Sequence, residues 1–485
     1  MLQRSSLFSP ALYRLSLPLS ALCTAWFVVG CAQLPDLGDA PQLKQGHAFQ
    51  ASDSLQAPAA DWPVDQWWAT YGDPQLTALI EEAMVGSPDL AAATARLQRA
   101  DAMTQLAGSA LKPQVSANAA ITEDKLSYNF LTPRAMTPSG WNDYGRVSLD
   151  FRWELDFWGK NRAALAAATS ELEAGRAELA QTRLMLASGI AVNYAELSRL
   201  YANRDTAVKA VEIRQKTATL FAQRFENGME TRGSMRDADA RRAVAEGALL
   251  ALEEQIALQR NRLAALLGAG PDRGLSIAAP TLKLDRSFGL PSGLAVNLLG
   301  RRPDIVAARL QAEAQGSRIE QKKAEFYPNV NLSAFVGVQA LGLDMLTSGG
   351  SGIGSMGPAI SLPIFSGGRL QGELRGAQAG YAGAVANYNG TVARALQEVA
   401  DNAVSQKALG QRLLKAQEAV EAASEAHRVA RNRYDGGLAT YLEVLSAEDG
   451  LLGSLSAQTN LRSLSFVLDI GLKRALGGGF QLAQR

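Results

Sequence analysis

Two stretches of this sequence, 215 residues apart, follow one plan, and the fold must use that plan twice. SPDLAAATARLQRADAMTQLAGSALKP runs from Ser87 to Pro113, and RPDIVAARLQAEAQGSRIEQKKAEFYP from Arg302 to Pro328; Pro303 follows Pro88, and Pro328 follows Pro113, by 215 residues. Further along, RFENGMETRGSMRDAD (Arg224 to Asp239) is echoed by RYDGGLATYLEVLSAEDGLL (Arg433 to Leu452). Each reads Arg, aromatic, acid, one residue, Gly, then a threonine, Thr231 or Thr440, where a restarting helix has its N-cap. Gly437 lies 209 residues after Gly228, so the copies differ by small insertions. That period is far too long for a solenoid and describes one large unit used twice.

Within each copy the periodicity changes in the same order. Asp73-Pro74 and Ser87-Pro88 are helix starts. Strand-like runs follow: VSANAAI from Val115, VSLDFRWELDF (Val147 to Phe157), VNLSAFVGV (Val330 to Val338) and ISLPIF (Ile360 to Phe365). In the second run Val147, Leu149, Phe151, Trp153, Leu155 and Phe157 alternate with polar residues, the pattern of a membrane-spanning strand with lipid on one side and water on the other. Trp141, Tyr144 and Trp158 flank it as candidate interfacial aromatics. A half-buried strand of a soluble sheet is the competing reading. Then come long amphipathic helices. Leu186, Ile190, Tyr194, Leu197 and Tyr201 mark one packed face, and Tyr381, Val385, Tyr388, Val392, Leu396 and Val399 its counterpart. A helix from Gly159 to Glu226 would be roughly 100 Å long at about 1.5 Å per residue. Four strands cannot close a membrane barrel, because the smallest have about eight, so spanning strands require several chains. Two chains would give eight strands and three would give twelve.

The N-terminus adds an address. Arg4 and Arg14 precede an apolar run from Leu15 to Val29, then Val28-Val29-Gly30-Cys31, which reads as a secretory signal (1–30) ending in a lipobox. After cleavage Cys31 would be acylated, and in bacteria where Asp at the next position retains lipoproteins in the inner membrane, Ala32 would let the protein go to the outer membrane. Cys23 leaves with the signal, so no disulfide framework is available. Residues 31–66, rich in Pro, Ala, Asp and Gln, read as a lipidated tether. Charge is balanced, with 48 Lys and Arg against 47 Asp and Glu among 485 residues, which gives nucleic acid no basic surface to bind.

Catalysis has no candidate residues. The two histidines, His47 and His427, lack metal-ligand companions, and no zinc, phosphate-loop or nucleophile-elbow motif occurs. Gly352, Gly354 and Gly357 form a GxGxxG, but ISLPIF follows it where a dinucleotide site needs a helix. The segment reads as a mobile loop between strands. No cofactor or metal is expected.

The lipobox through Cys31, WWATYGDPQLTALIEEAM (Trp67 to Met84), SPDLAAATARLQRA, ELDFWGKNRA (Glu154 to Ala163), RRPDIVAARLQAEA and the two tips resemble the outer membrane factor family, the TolC- and OprM-like efflux ducts. The resemblance covers nearly all of the mature chain. It implies a mixed α and membrane-β fold: a homotrimer whose twelve-stranded β-barrel, four strands per chain, continues as a periplasmic α-helical barrel of two duplicated hairpins. It implies an efflux channel in the outer membrane, lipid-anchored and reaching into the periplasm. Its partners would be a periplasmic adaptor and an inner-membrane pump of the RND type. The expected segments are first-repeat helices 67–112, strands 113–157 and hairpin 158–268; a linker 269–301; second-repeat helices 302–327, strands 328–367 and hairpin 368–477; and a tail 478–485. An export duct for proteins and a periplasmic coiled-coil adaptor are the alternatives, the second requiring one hairpin rather than two.

The family closes its periplasmic end beyond the second tip. Glu443 stands where some members place a gate acid, Ser446 where many carry Asp, and Tyr434 at a tyrosine that in some members helps hold the closed state. At the 209-residue offset Asp237 faces Ser446 and can supply the missing charge, with Arg232 and Arg236 as candidate counter-charges. Gly228, Met229, Gly437 and Leu438 are the expected adaptor-contact tips. Independently of the resemblance, a carboxylate repeated around an axis makes a ring that favours cations. The plainer reading is of solvated acids at helix starts.

Overall fold

The duplication is written in the element lengths. Helices α1 (Pro74–Gly86) and α2 (Pro88–Ser109) lead into strands β1 (Gln114–Asp124) and β2 (Asn142–Leu155), then α3 (Lys160–Glu226) and α4 (Arg232–Leu266). After the short helices α5 (Asp272–Leu275) and α6 (Leu294–Arg301), the second copy gives α7 (Pro303–Ala324), β3 (Asn329–Leu341), β4 (Gly352–Ser361), α8 (Arg369–Asp435) and α9 (Tyr441–Ala475). Matching helices have equal lengths: 22 residues for α2 and α7, 67 for α3 and α8, and 35 for α4 and α9. The computed structural model describes residues 34–36, 38–50, 53–129, 131–284 and 288–481; the signal sequence and Cys31 lie outside them. No described helix is long and apolar enough to cross a membrane.

The chain divides into two units. The first comprises residues 1–42, 99–173 and 310–386 and holds the sheet. Its four strands run antiparallel in the order β1-β2-β3-β4, one β-hairpin from each copy, joined by β2–β3 pairing. The register aligns the apolar positions on one face of the sheet, while the other face is polar for the most part, though Phe335 and Ile353 also lie on it. Leu149 lies between Ala117 and Val336, Phe151 between Val115 and Ala334, and Trp153 beside Leu332, which neighbours Pro358. The other face carries Ser148, Asp150 and Arg152 beside Asn118, Ser116 and Ser333. There Asn118 Nδ2 and Ser148 Oγ each donate to Asp150 Oδ2 at 2.8 Å. Trp141 precedes β2 and Trp158 follows it, both exposed. Trp158 stacks on Tyr327 with ring centroids 4.7 Å apart.

The glycine-rich segment is not a loop. Gly352, Gly354 and Gly357 lie inside β4, opposite Val338, Val336 and Ser333, while ISLPIF contributes only Ile360 and Ser361 to the strand. Glycine has a weak strand preference of its own, but the hydrogen-bond ladder to β3 overrides it. Past Ser361, Pro363 has no N–H to pair, and Pro358 lies in β4, the last strand of the sheet within the single chain.

The second unit comprises residues 43–98, 174–309 and 387–485. Its first core packs Leu76, Leu79, Ile80 and Ala83 of α1 with Leu186, Ile190, Tyr194 and Leu197 of α3 and with Trp67 and Tyr71. Each large apolar side chain contributes about 1.5–3 kcal/mol on burial. The second core repeats the theme with Tyr388, Val392, Leu396 and Val399 of α8 against Leu298 of α6 and Ile305 of α7. The stretch read as a tether is partly laid onto this core. Leu43, Phe49, Leu55 and Trp62 pack there, and Gly46 passes so near that a Cβ would stand 2.4 Å from the Ala295 carbonyl oxygen. Leu43, Phe49, Leu55 and Trp62 have no regular spacing because contact with this core, rather than a repeating backbone geometry, decides which side chains are covered.

Candidate functional site

The tips are built by two matching turns in the second unit. α3 ends with Met229 N–H donating to the Arg224 carbonyl (2.8 Å) and Gly228 N–H to Phe225 (2.9 Å); α8 ends with Leu438 N–H on Arg433 (2.8 Å) and Gly437 N–H on Tyr434 (3.0 Å). These are the paired bonds of a helix stop that needs a left-handed residue, and Gly228 (φ 71°) and Gly437 (φ 73°) supply it. The restarts are capped as the sequence indicates. Thr231 Oγ1 accepts from Ser234 N–H at 3.1 Å, and the Glu443 carboxylate accepts from Thr440 N–H at 3.2 Å.

Above the turns the hairpins are joined side chain to side chain. The Arg224 guanidinium donates to the Tyr434 hydroxyl and lies 5.2 Å from its ring centroid. Tyr441 packs edge-on between Tyr434 (5.2 Å) and Phe221 (4.8 Å), and its hydroxyl meets Thr217. One level further, Arg214 of α3 meets Glu448 at 3.3 Å and Asp449 at 2.5 Å, both on α9. Arg241 of α4 holds Asp237 at 2.8 Å and reaches Asp449 at 3.8 Å. Burial pushes the Glu448 carboxyl above its ordinary range, which Arg214 only partly offsets.

A model of the outer membrane efflux protein family matches residues 79–269 and 294–478. This chain belongs to that family. A multidrug resistance outer membrane protein, MdtP, of Escherichia coli K12 is 30% identical over 95% of this chain and 96% of its own. A fusaric acid resistance protein of Burkholderia cepacia is 36% identical over 75% of this chain and 70% of its own. Among solved structures, the outer membrane protein VceC of Vibrio cholerae covers 87% of this chain and all of its own, with 49% identity and a TM-score of 0.82. The CmeC outer membrane channel of Campylobacter jejuni shares the fold at a TM-score of 0.83 over 94% of this chain and 95% of its own, with 21% identity. The mostly helical fold with four strands among the described residues is therefore the architecture of an outer membrane efflux protein, and the family is one of channels rather than enzymes.

The fold places the residues singled out from sequence as follows. Gly228, Met229, Gly437 and Leu438 form the two turns. Glu443 caps α9 and pairs with Arg433 at 3.2 Å, while Arg236 pairs with Asp239 and Arg232 is exposed. Within the chain the arginines meeting Glu443 and Asp237 are thus Arg433 and Arg241, on their own hairpins. Ser446 is exposed and Tyr434 sits in the aromatic cluster. Sequence reasoning missed Arg214, Arg224, Thr217, Arg241 and Glu448. A signal for Glu448 was present: Tyr441, Val444 and Leu445 set the apolar face of α9, and position 448 continues it with an acid.

Proposed function

We propose that three chains close a twelve-stranded barrel in the outer membrane and that the hairpins 158–268 and 368–477 continue it as a periplasmic duct. Through it, drugs or other small toxic molecules leave passively, delivered by an inner-membrane pump, RND in type, and a periplasmic adaptor. The observation that carries this is the four-strand register, which makes one face of the sheet apolar, gathers Ser148, Asp150, Arg152 and Asn118 on the other, and leaves β1 and β4 as edges for neighbouring chains. Acylated Cys31 anchors the tether, Gly228, Met229, Gly437 and Leu438 meet the adaptor, and no bond is made or broken in transport. Glu443, with Asp237 completing the charge that Ser446 lacks, lines the mouth; Tyr434 holds it closed, and Arg232 and Arg236 offset the acids across neighbouring chains. The relatives' names, a multidrug resistance protein and a fusaric acid resistance protein, support small-molecule efflux over protein export.

Planar-bilayer recording tests this reading. The purified protein should give discrete conductance steps with cation preference, and Glu443→Ala should lower that preference several-fold, as expected for removing a carboxylate ring. Conductance without selectivity change would remove Glu443 from the mouth, and no conductance would contradict the duct.

A further inference from the structure

Glu448 is an acid in the wrong place for a solvated helix. It is 1% exposed, neither carboxylate oxygen has a hydrogen-bond partner, and its nearest counter-charge is Arg214 Nε at 3.3 Å on the other hairpin. Arg214 is itself 5% exposed, its Nη1 also lacks a partner, and its Nη2 is committed to Asp449. An ionised carboxylate buried with unfilled lone pairs is costly, and a single poorly aligned guanidinium does not repay the loss of water. The other groups acting on it are Arg241 from α4, itself paired with Asp237, Arg431 from α8, and Asp449 and Tyr441 from α9 itself. Tyr434, Tyr441 and Glu448 follow at intervals of seven residues, each meeting α3, so Glu448 is the innermost of three contacts that fasten the second tip to the first.

We propose that Glu448 is a proton-operated latch between the two hairpins, taking up a proton when α3 and α9 are packed and releasing it to solvent when they part. This rests on the tips being the mouth of the duct. Its direction follows from which state holds the proton more tightly. The packed state does, because burial raises its carboxyl above the ordinary value that a solvated Glu448 would have. Stabilisation of the packed tip is therefore fully present below the ordinary carboxylate range and is lost as pH rises through the raised value. Acid fastens the mouth and neutral pH loosens it, by at most about tenfold per pH unit in the packed-to-open ratio for each chain. The periplasm follows external acidity, so the latch would slow efflux in acid surroundings.

The test uses the full-length protein, wild type and Glu448→Gln, in two measurements. In planar bilayers taken from about pH 8 to about pH 5, wild-type open probability should fall, while Glu448→Gln should lose this step and remain at the acid level throughout. Amide hydrogen exchange along α9, compared at matched pH, should show the wild-type tip exchanging at least several-fold faster than Glu448→Gln at neutral pH and equally in acid. Glu448→Asp should retain the step with a moved midpoint. A wild-type pH step surviving in Glu448→Gln, or an unmoved midpoint in Glu448→Asp, would overturn the latch. Should no variant conduct, the duct reading fails, whereas the exchange comparison still decides the latch.

Discussion

Asp73→Ala is expected to lower the stability of the helical unit by about 3–5 kcal/mol, the largest loss from any single side chain discussed. Asp73 is 3% exposed, and its carboxylate takes up five hydrogen bonds. Gln75 N–H (2.9 Å) and Leu76 N–H (3.4 Å) cap α1; the Tyr194 hydroxyl (2.9 Å), Thr281 N–H (2.7 Å) and Thr281 Oγ1 (3.2 Å) bring α3 and the linker to the same point. Loss of the cap alone costs about 1 kcal/mol. Bonds to a charged acceptor add about 1.5–3 kcal/mol each, less than additively where they share it. Gln75 donates to the Tyr194 hydroxyl at 2.6 Å, so that group keeps one partner, but Thr281 N–H loses its carboxylate. Denaturant unfolding followed by helical circular dichroism should show the midpoint moving down sharply for Ala and less for Asn. A midpoint unchanged in both would show that this junction does not hold the unit together.

Leu149→Arg is expected to cost about 2–4 kcal/mol, the penalty for a cation on the lipid-facing side of a barrel near mid-membrane, and to deplete assembled protein in the outer membrane. Leu149 is exposed in the single chain and flanked by Ala117 and Val336. Asn118→Arg, opposite Ser148 and beside Asp150, puts the same charge on the polar face and should leave assembly near the wild-type level. Seminative electrophoresis of outer membrane fractions separates the two outcomes. Equal effects from both substitutions would mean that the sheet does not divide lipid from water as the register implies.

Much of the architecture is legible because physics writes it locally and twice. The alternation from Val147, the stripes that step by three and four, the Asp73-Pro74 and Ser87-Pro88 starts, and the threonine caps all report backbone geometry within a few residues. What escapes depends on contacts distant in sequence. Gly352, Gly354 and Gly357 look like a loop until Val338, Val336 and Ser333 pair with them. Leu43, Phe49, Leu55 and Trp62 look like parts of a free tether because a segment packed without regular structure shows no periodicity. At the tips, the turns and caps were readable, but the links between hairpins were not: Arg214 meets Glu448 and Asp449 across more than 230 residues of sequence. Glu443, which attracted notice for its position, is held by its own cap and by Arg433. Glu448, five residues on, looked like one more charge among several.

The exit-duct role proposed for this chain determines how far small toxic molecules build up inside the cell. Its most direct test is deletion of the gene in its native bacterium, followed by intracellular accumulation across a panel of chemically diverse toxic compounds, with the wild-type gene and Leu149→Arg returned separately. A subset of compounds should accumulate several-fold in the deletion strain, the wild-type gene should reverse this, and Leu149→Arg should not. Unchanged accumulation of every compound, with loss of a secreted protein from the medium, would contradict that role.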